Sequence, residues 1–262
     1  MGDLEVNGDR LEIAEWGPPD GPCLVLLHEG LGSVGLWRDF PGKLASATGW
    51  RVFAYSRAGY GRSSNVSLPR PLDHMSRESA VITAIFDHLD GNDFVLLGHS
   101  DGATIAAIYA GSVSDRRVRG LILMAPHFFA EAEGLKAIET AREAYENGDM
   151  RDRLARHHDF PDSAFYGWND TWLAPDFKGW NVADCIDHWR VPVLAIQGRN
   201  DEYGTLAQIE EIESRIYAPL EALVLDDCGH APHLEKQPET LRAISDFCAR
   251  LARIEKATVH LA

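Results

Sequence analysis

The sequence predicts an α/β fold built on a mostly parallel, doubly wound sheet, and three observations predict it. Short apolar runs recur along the chain and do not alternate with polar residues, as is typical of parallel strands covered on both faces. Segments with apolar residues at helical spacing lie between these runs, so strands and helices alternate. A long stretch between Met124 and Val191 interrupts the alternation, which predicts an inserted helical lid.

The predicted strands follow from the apolar runs taken in order. An Asn-Gly pair at positions 7 and 8 is typical of a hairpin turn, so Leu4–Val6 and Arg10–Glu15 are expected to pair at the start of the chain. The remaining strands are expected at Cys23–His28, Arg51–Tyr55, Phe94–Gly98, Gly120–Met124, Val191–Gln197 and Ala222–Leu225.

The predicted helices lie between the strands, where apolar side chains repeat every three or four residues. They are expected at Glu78–Leu89, Ala103–Ala110, Ala130–Tyr145 and Leu206–Ile216, with a last helix that begins at Pro238. We therefore divide the chain into a first core part at residues 1–126, a helical lid at 127–187 and a second core part at 188–262.

The composition excludes several classes of protein. The chain has 262 residues and is 45% hydrophobic, which suits one large domain or a domain with an insert. Its net charge of −15 argues against nucleic acid or an anionic membrane as a partner. No apolar run approaches the roughly 18–20 residues of a membrane span, and the N-terminus MGDLEVNGDR is too polar for a secretory signal. Four widely spaced cysteines are expected to be reduced thiols, so we expect a cytoplasmic protein.

The stretch GHSDG at residues 98–102 is the clearest chemical motif. It follows the apolar run FVLL and precedes the small-residue stretch ATIAAIYA, so it predicts a tight turn from strand to helix. Such a turn projects the hydroxyl of Ser100 above the sheet, and Gly98 and Gly102 are the small residues that the crowded strand and helix require. We therefore predict that Ser100 is a nucleophile at a helix N-terminus, where developing negative charge is favoured.

A serine nucleophile needs a base, and the base needs a carboxylate that orients it. Asp201 follows the predicted strand VPVLAIQ and His230 follows the predicted strand ALVL, so both are expected at the same carboxyl edge of the sheet as Ser100. Asp226 and Asp227 compete for the role of the acid, but they share the strand end of the histidine, and a neighbouring strand orients an imidazole more naturally. The predicted triad is Ser100, Asp201 and His230.

The other histidines are not assigned to chemistry. His230 and His233 form an HxxH pair, but a loop pair without a third ligand is weak support for a metal site. His157 and His158 lie in the predicted lid and are expected to be solvated. We therefore expect neither a metal nor a cofactor.

Attack on a carbonyl also needs donors for the oxyanion that forms. The residue after the nucleophile usually supplies one main-chain N–H, which here is that of Asp101. The loop His28–Ser33, after the first central strand, is expected to supply the other.

Five motifs taken together resemble the α/β-hydrolase superfamily over nearly the whole chain. They are LLHEGLGSVGLW, SRAGYGRS, GHSDG, GRNDEYG and CGHAPHLEKQPE, in that order. The resemblance implies the α/β-hydrolase fold and an esterase-like activity. Glu29 stands where the family usually has a glycine, and by this register the oxyanion donor is the N–H of Gly30, with Leu31 as the next choice. Ser56 stands where the family's turn usually begins with aspartate, which puts one structural hydrogen bond in question.

The aspartate after the nucleophile is open to two interpretations. In the first, Asp101 only begins a helix, where a carboxylate contributes about 0.3–1 kcal/mol. In the second, its carboxylate reaches the acyl pocket and pairs with a cationic group of the substrate. The elbow is similar to that of valacyclovirase-like (biphenyl hydrolase-like) members, which cleave esters of amino acids, and this similarity supports the second. We place the first interpretation ahead.

The predicted lid carries a cluster of aromatic residues that can face a ligand or pack the lid onto the core. They are Phe165, Tyr166, Trp168, Trp172, Phe177 and Trp180. One or two of them are expected to face the ligand. The residues that we expect to contact the substrate are Glu29, Trp168, Trp172, Phe128 and His127.

These residues predict a serine hydrolase that cleaves a small carboxylic ester or a related acyl bond through an acyl-enzyme. A lactonase, a thioesterase, a carbon–carbon bond hydrolase or a cofactor-free perhydrolase would use the same parts, and so would a ligand-binding receptor that retains the triad and turns over slowly. The serine at position 100 argues against haloalkane dehalogenase and epoxide hydrolase chemistry, which use an aspartate there. The expected partner is a small ester-like molecule, and a homodimer is left open.

Overall fold

An eight-stranded sheet forms the centre of this computed structural model, which describes residues 1–259 and the side chains of residues 1–253. The strands are β1 (Gly2–Val6), β2 (Asp9–Trp16), β3 (Cys23–Leu27), β4 (Arg51–Tyr55), β5 (Phe94–His99), β6 (Val118–Met124), β7 (Val193–Gly198) and β8 (Leu220–Leu225). Their spatial order is β1-β2-β4-β3-β5-β6-β7-β8. β2 pairs antiparallel with β1 and β4, and the other neighbours are parallel, so the prediction of a mostly parallel sheet is confirmed.

Each predicted strand is present, with small shifts at the ends. The central strands β3 and β5 are buried at every position, which explains why their sequences are continuous apolar runs. β7 begins at Val193 instead of Val191, since Pro192 has no N–H to donate to a neighbouring strand.

Helices cover both faces of the sheet. They are α1 (Phe40–Thr48), α2 (His74–Ser79), α3 (Val81–Leu89), α4 (Asp101–Ser112), α5 (Ala132–Asn147), α6 (Met150–Leu154), α7 (Pro161–Trp172), α8 (Ala207–Arg215), α9 (Pro232–Glu235) and α10 (Gln237–Val259). α1 and α10 pack on one face, where Leu44 and Phe247 are buried. α3, α4 and α8 pack on the other, where Phe86 and Ile105 are buried. Within the described residues, none of these helices combines the length and the apolar character needed to cross a membrane.

Two helices differ from the sequence prediction. The helix expected at Glu78–Leu89 lies in two helices, α2 and α3, which meet at Ala80. The N–H of Ala80 donates to the carbonyl of Arg77, three residues back instead of the four of a regular α-helix, so the turn is tighter at this point. α1 was not predicted, because Pro41 and Gly42 interrupt its helical pattern, although a proline is well accommodated in the first turn of a helix.

The stretch 127–187, predicted to be a lid, is helical. It contains α5, α6 and α7, followed by 3-10 helices at Pro175–Phe177 and Ala183–His188. No strand runs through its described residues, where a single bridge pairs Phe129 with Asn181.

Two tryptophans of α7 lie over the carboxyl ends of the strands. Nε1 of Trp172 donates a hydrogen bond to Oδ1 of Asp101, at the start of α4, over 3.2 Å. The indole of Trp168 lies so close to Gly30 that a Cβ there would be 2.3 Å from the ring. The boundaries at 126 and 187 stay predictions, and residues 260–262 of the second core part lie outside the described residues.

Candidate active site

The turn between β5 and α4 holds Ser100 in a strained backbone conformation. Ser100 has φ 53° and ψ −122°, which residues other than glycine rarely adopt. A Cβ at Gly98 would lie 2.4 Å from the main chain of Ala103. A Cβ at Gly102 would lie 2.1 Å from the main-chain oxygen of Leu27. The turn is therefore as tight as the sequence predicts, and it leaves the serine at the carboxyl edge of the sheet.

Three side chains from three strand ends form a continuous hydrogen-bonded row. Oγ of Ser100, after β5, lies 2.9 Å from Nε2 of His230, after β8. Nδ1 of His230 lies 2.8 Å from Oδ2 and 2.9 Å from Oδ1 of Asp201, after β7. Since an ionised carboxylate only accepts hydrogen bonds, Nδ1 carries the proton and Nε2 is left to accept from the serine hydroxyl. The structure thus brings the three residues of the predicted triad together.

The carboxylate of Asp201 is 1% exposed and is surrounded by donors. Besides the imidazole, it accepts from Nε2 of Gln197 at 2.8 Å and from the N–H groups of Tyr203 at 2.8 Å and Gly204 at 3.3 Å. Burial opposes the ionisation of Asp201, but the bond from His230, the charge of His230 and the N–H of Tyr203 together hold the pKa of the carboxyl below its ordinary value. Burial likewise opposes charge on His230, but the bond to Asp201, the charge of Asp201 and the charges of Glu202 and Glu29 together raise the pKa of the imidazole.

The two competing aspartates have other surroundings. Asp226 is exposed and pairs with Arg199 at 2.6 Å. Asp227 is exposed, and within the described chain its carboxylate makes no hydrogen bond to His230. Asp201 is therefore the acid that contacts the imidazole.

Two further histidines are buried in structural positions. The ring of His233 packs against that of His99, and burial lowers the pKa of His233 to about 3. His158 was expected to be solvated, but this expectation is wrong: its Nδ1 accepts the N–H of Gly61 and its Nε2 donates to the carbonyl of Leu31, both at 2.9 Å. Among the described residues, no cluster of three or more His, Cys, Asp or Glu side chains could hold a metal ion.

The loop after β3 brings unpaired main-chain donors beside the serine. Gly30 and Leu31 line the same cavity as Ser100 and Asp101. In the part of the chain that the structure describes, the N–H groups of Gly30, Leu31 and Asp101 donate to no protein atom. The hydroxyl of Ser56 accepts the N–H of Val34, directly after this loop, at 2.9 Å.

The cavity opens above Ser100, between the strand ends and the helices of the stretch 127–187. Its lining residues are Glu29, Gly30, Leu31, Ser100, Asp101, His127, Glu131, Gly134, Leu135, Ile138, Trp168, Trp172, Tyr203 and His230. Seven of these fourteen come from the stretch 127–187, so half of the lining is supplied by the predicted lid.

Residues 24–244 match the family model described as the alpha/beta hydrolase family. The chain belongs to this family. It is 25% identical to a non-heme chloroperoxidase of Streptomyces lividans over 92% of this chain and 86% of that protein. It is 28% identical to a bifunctional esterase/perhydrolase of Acinetobacter calcoaceticus, over 62% of this chain and 59% of the relative's length. These relatives support a hydrolase.

Solved structures share the α/β-hydrolase fold. The enol-lactonase from Burkholderia xenovorans superposes with a TM-score of 0.72 at 19% identity, covering 95% of this chain and all of that one. The proline iminopeptidase of Mycobacterium smegmatis superposes with a TM-score of 0.71 at 18% identity, covering 95% of this chain and 98% of that one. At these identities the likeness concerns the fold, which confirms the predicted fold class.

Four of the five residues expected to contact a substrate line the cavity of this hydrolase, namely Glu29, His127, Trp168 and Trp172. Phe128 does not. The ring of Phe128 is fully buried and packs against Trp189, because the side chain points towards the core. The N–H of Phe128 donates a hydrogen bond to Oε1 of Gln208 at 2.7 Å, which fixes this direction.

Part of the cavity wall was not predicted from the sequence. α5 contributes Leu135 and Ile138, and the loop after β7 contributes Tyr203, whose ring lies 4.8 Å from that of His230. Tyr203 lies two residues after Asp201 in the predicted acid loop, and that proximity is a signal that could have found it. The periodicity of α5 was visible in the sequence, but which of its faces would turn towards the serine was not.

Asp101 places a buried carboxylate on the cavity wall. The residue is 1% exposed, and the only hydrogen bond of its carboxylate among the described residues comes from the indole of Trp172. Burial raises the pKa of this carboxyl. Glu29 and Glu131 line the same cavity, and no lysine or arginine does so among the described residues. A positively charged group in the cavity would therefore contact these carboxylates, and it would contact no lysine or arginine of the described lining.

Glu29 also connects the oxyanion loop to the histidine loop. Its Oε2 lies 3.5 Å from Nδ1 of His99, and Nε2 of His99 donates to the main-chain carbonyl of His230 at 2.7 Å. Burial opposes ionisation of Glu29, but His99 outweighs burial and holds the pKa of the carboxyl well below its usual range. The histidine before the nucleophile thus contacts both loops that flank it.

Proposed function

We propose that this protein is a serine hydrolase that cleaves a small carboxylic ester or a related acyl bond. The observation that carries the proposal is the row of hydrogen bonds from Ser100 through His230 to Asp201, open to a cavity at its serine end. Such a row gives a hydroxyl a base within reach and gives that base an orienting carboxylate.

In the proposed reaction, Oγ of Ser100 attacks the substrate carbonyl while Nε2 of His230 takes the hydroxyl proton. Asp201 holds the imidazole in the Nδ1–H tautomer and stabilises its cation. The tetrahedral intermediate then expels the alcohol, which receives the proton from His230, and an acyl-serine remains. Water attacks the acyl-serine with His230 as base, and the acid leaves.

The negative oxygen of the tetrahedral intermediate needs donors that are in place before the reaction. The unpaired N–H groups of Gly30 and Asp101 support an oxyanion hole at this point, with Leu31 as a further donor of the same loop. Asp101 also begins α4, whose N-terminus favours negative charge.

The cavity wall supports a small acyl group and a covering role for the stretch 127–187. Leu135, Ile138, Trp168 and Trp172 supply apolar surface around the serine. All four belong to α5 and α7, so this stretch acts as a lid that excludes water from the reacting carbonyl.

The serine disfavours one activity found among relatives. The chain is 32% identical over 115 residues to a protein named epoxide hydrolase B from Mycobacterium tuberculosis. Epoxide hydrolase chemistry uses an aspartate as nucleophile, and position 100 is a serine. Ester cleavage is therefore the activity that we test first, with lactones and thioesters as further acyl substrates.

The test compares the native protein with Ser100→Ala on a panel of short esters, thioesters and lactones, and on a fluorophosphonate probe. Ser112→Ala is the matched control, because Ser112 is an exposed serine at the end of the same helix. Ser100→Ala is expected to lose activity by several orders of magnitude and to lose labelling, with unfolding temperature unchanged. Labelling or turnover that survives in Ser100→Ala would contradict the proposal, and ligand binding without turnover by the native protein would indicate a receptor.

A further inference from the structure

We propose that Arg57 is a positioning residue for the oxyanion hole, whose guanidinium fixes and polarises the peptide that ends in the Gly30 N–H. The proposal rests on the proposed function, because it assigns a role in stabilising the oxyanion. Arg57 lies in the turn after β4, outside the cavity lining, and the triad does not use it.

The guanidinium of Arg57 donates hydrogen bonds to two successive carbonyls of the loop after β3. Nη1 donates to the carbonyl oxygen of His28, and Nη2 donates to that of Glu29 at 3.0 Å. Arg57 is 2% exposed, and no carboxylate of the described chain lies within ion-pair distance of it. A buried cation needs compensating partners. The two carbonyls and the ring of Tyr60, 4.9 Å away, contact the guanidinium, and its charge also acts over a longer distance on the buried carboxylates of Asp101 and Glu78.

The side chain of His28 holds the same loop through two further hydrogen bonds. Its Nε2 accepts the main-chain N–H of Arg57 at 3.0 Å, so the proton of the neutral ring is on Nδ1. Nδ1 donates to the carbonyl of Glu29 at 2.7 Å. Burial, with the charge of Arg57, holds the pKa of His28 well below its usual range, so the ring stays neutral in this single tautomer. The carbonyl of Glu29 also accepts the N–H of Gly32 at 3.0 Å, which makes three donors in all.

Hydrogen bonds at the carbonyl of Glu29 also affect the N–H of Gly30, because both belong to one peptide group. The peptide between Glu29 and Gly30 is planar, and in the trans form its N–H points away from its C=O. Donors that fix the carbonyl of Glu29 therefore fix the direction of the Gly30 N–H. Hydrogen bonds at a carbonyl, above all from a cation, also polarise the peptide and make its N–H a stronger donor. That N–H has no acceptor in the described chain, so it is held ready for the oxyanion.

The shape of the guanidinium matters as well as its charge. Two parallel N–H groups are needed to reach two carbonyls at once, which a planar fork provides and a lysine ammonium does not. Arg57→Lys keeps the charge and loses the fork, whereas Arg57→Met loses both. Arg62→Met is the matched control, because Arg62 lies exposed in the same turn.

The kinetic arm measures kcat, KM and inhibition by a trifluoromethyl ketone that forms an oxyanion on Ser100. Arg57→Lys and Arg57→Met are expected to lower kcat by about 10- to 1000-fold with KM little changed, since loss of one oxyanion donor has an effect of about 100- to 1000-fold. Affinity for the ketone should fall in parallel with kcat, and guanidinium ion at millimolar concentration should partly restore the kcat of Arg57→Ala. A native-like kcat and ketone affinity in both variants would overturn the inference.

The spectroscopic arm needs no turnover, so it separates a failure of this inference from a failure of the proposed function. Carbonyl-¹³C glutamate with ¹⁵N glycine selects Glu-Gly pairs, and the sequence has only Glu29-Gly30 and Glu133-Gly134. The Gly30 resonance is expected to move in Arg57→Lys and Arg57→Met and to stay in Arg62→Met, with Gly134 constant throughout. A Gly30 resonance that moves no more in the Arg57 variants than in Arg62→Met would overturn the inference, whatever the activity of the native protein.

Discussion

Nδ1 of His230 donates a hydrogen bond to Oδ2 of Asp201 over 2.8 Å. The two residues follow two different strands, and both side chains are largely buried. The pKa of the imidazole is raised, because burial disfavours the protonated ring while Asp201, with the charges of Glu202 and Glu29, favours it by more. The proposed base is therefore protonated at a higher pH than an ordinary histidine.

This sign predicts the acid limb of the pH–rate profile. The reaction needs neutral His230, so kcat/KM should rise with pH through the pKa of the free enzyme's imidazole, with a midpoint above the ordinary value of about 6.5. In Asp201→Asn the carboxylate is gone and burial is opposed by the weaker effects of Glu202 and Glu29, so the midpoint should move to lower pH. Profiles of kcat/KM for one neutral ester, measured from pH 4 to pH 9 in both proteins, check this prediction. A limb that stays in place in Asp201→Asn would show that another group controls it.

The choice of acid gives a second prediction. Asp201→Asn should lower kcat on the order of 10⁴-fold, because an amide stabilises the wrong tautomer of the imidazole. Asp227→Asn should leave kcat within about twofold, since Asp227 is exposed and does not contact His230. Comparing the two variants in one ester assay decides between the acids, and the reverse ranking would assign the role to Asp227.

The elements that carry the triad could be predicted because their signals are local. Gly98 and Gly102 mark a turn whose geometry tolerates no Cβ, and the apolar runs before Asp201 and His230 mark strands that end at one edge. The cavity wall could not be predicted in the same way. Phe128 and Trp172 are both buried aromatic residues of one stretch, and only the packing of α5 and α7 decides that the first faces the core and the second the serine.

Contacts between distant loops were equally out of reach of the sequence. Arg57, His28 and His158 bind main-chain carbonyls and N–H groups, and such partners leave no mark in residue type or spacing. The expectation that His158 is solvated failed for this reason, since a histidine in a polar stretch gives no sign of a partner 127 positions away.

The contact between Trp168 and Gly30 predicts a coupled pair. Gly30→Ala should lower kcat by about tenfold or more, because the new Cβ would lie 2.3 Å from the indole and either the ring or the oxyanion loop must move. In a Trp168→Ala background that clash is absent, so the same substitution should have a much smaller effect. A double-mutant cycle on kcat measures the coupling. Equal effects of Gly30→Ala in both backgrounds would mean that the indole does not limit residue 30.

The carboxylate of Asp101 gives the last prediction, which concerns the substrate. Its surroundings exceed what a helix-starting aspartate needs, because it is buried on the cavity wall, makes one hydrogen bond to Trp172, and shares the cavity with Glu29. Burial raises the pKa of Asp101, which means that water does not stabilise its charge, whereas an ammonium group in the cavity would. An α-amino ester should therefore have a higher kcat/KM than its neutral isostere.

Asp101→Asn isolates this charge, because it keeps the main-chain N–H and nearly the same shape. It should lower kcat/KM for the α-amino ester by about ten- to a hundredfold, which corresponds to the roughly 1.5–3 kcal/mol of a charged hydrogen bond, and leave the neutral isostere nearly unchanged. Glu133→Gln, which removes an exposed carboxylate from α5, is the control for a general effect of net charge. If native enzyme treats the two esters alike, or if Asp101→Asn changes both equally, Asp101 serves the reaction only through its N–H at the start of α4, and the cavity's carboxylates do not select a cation.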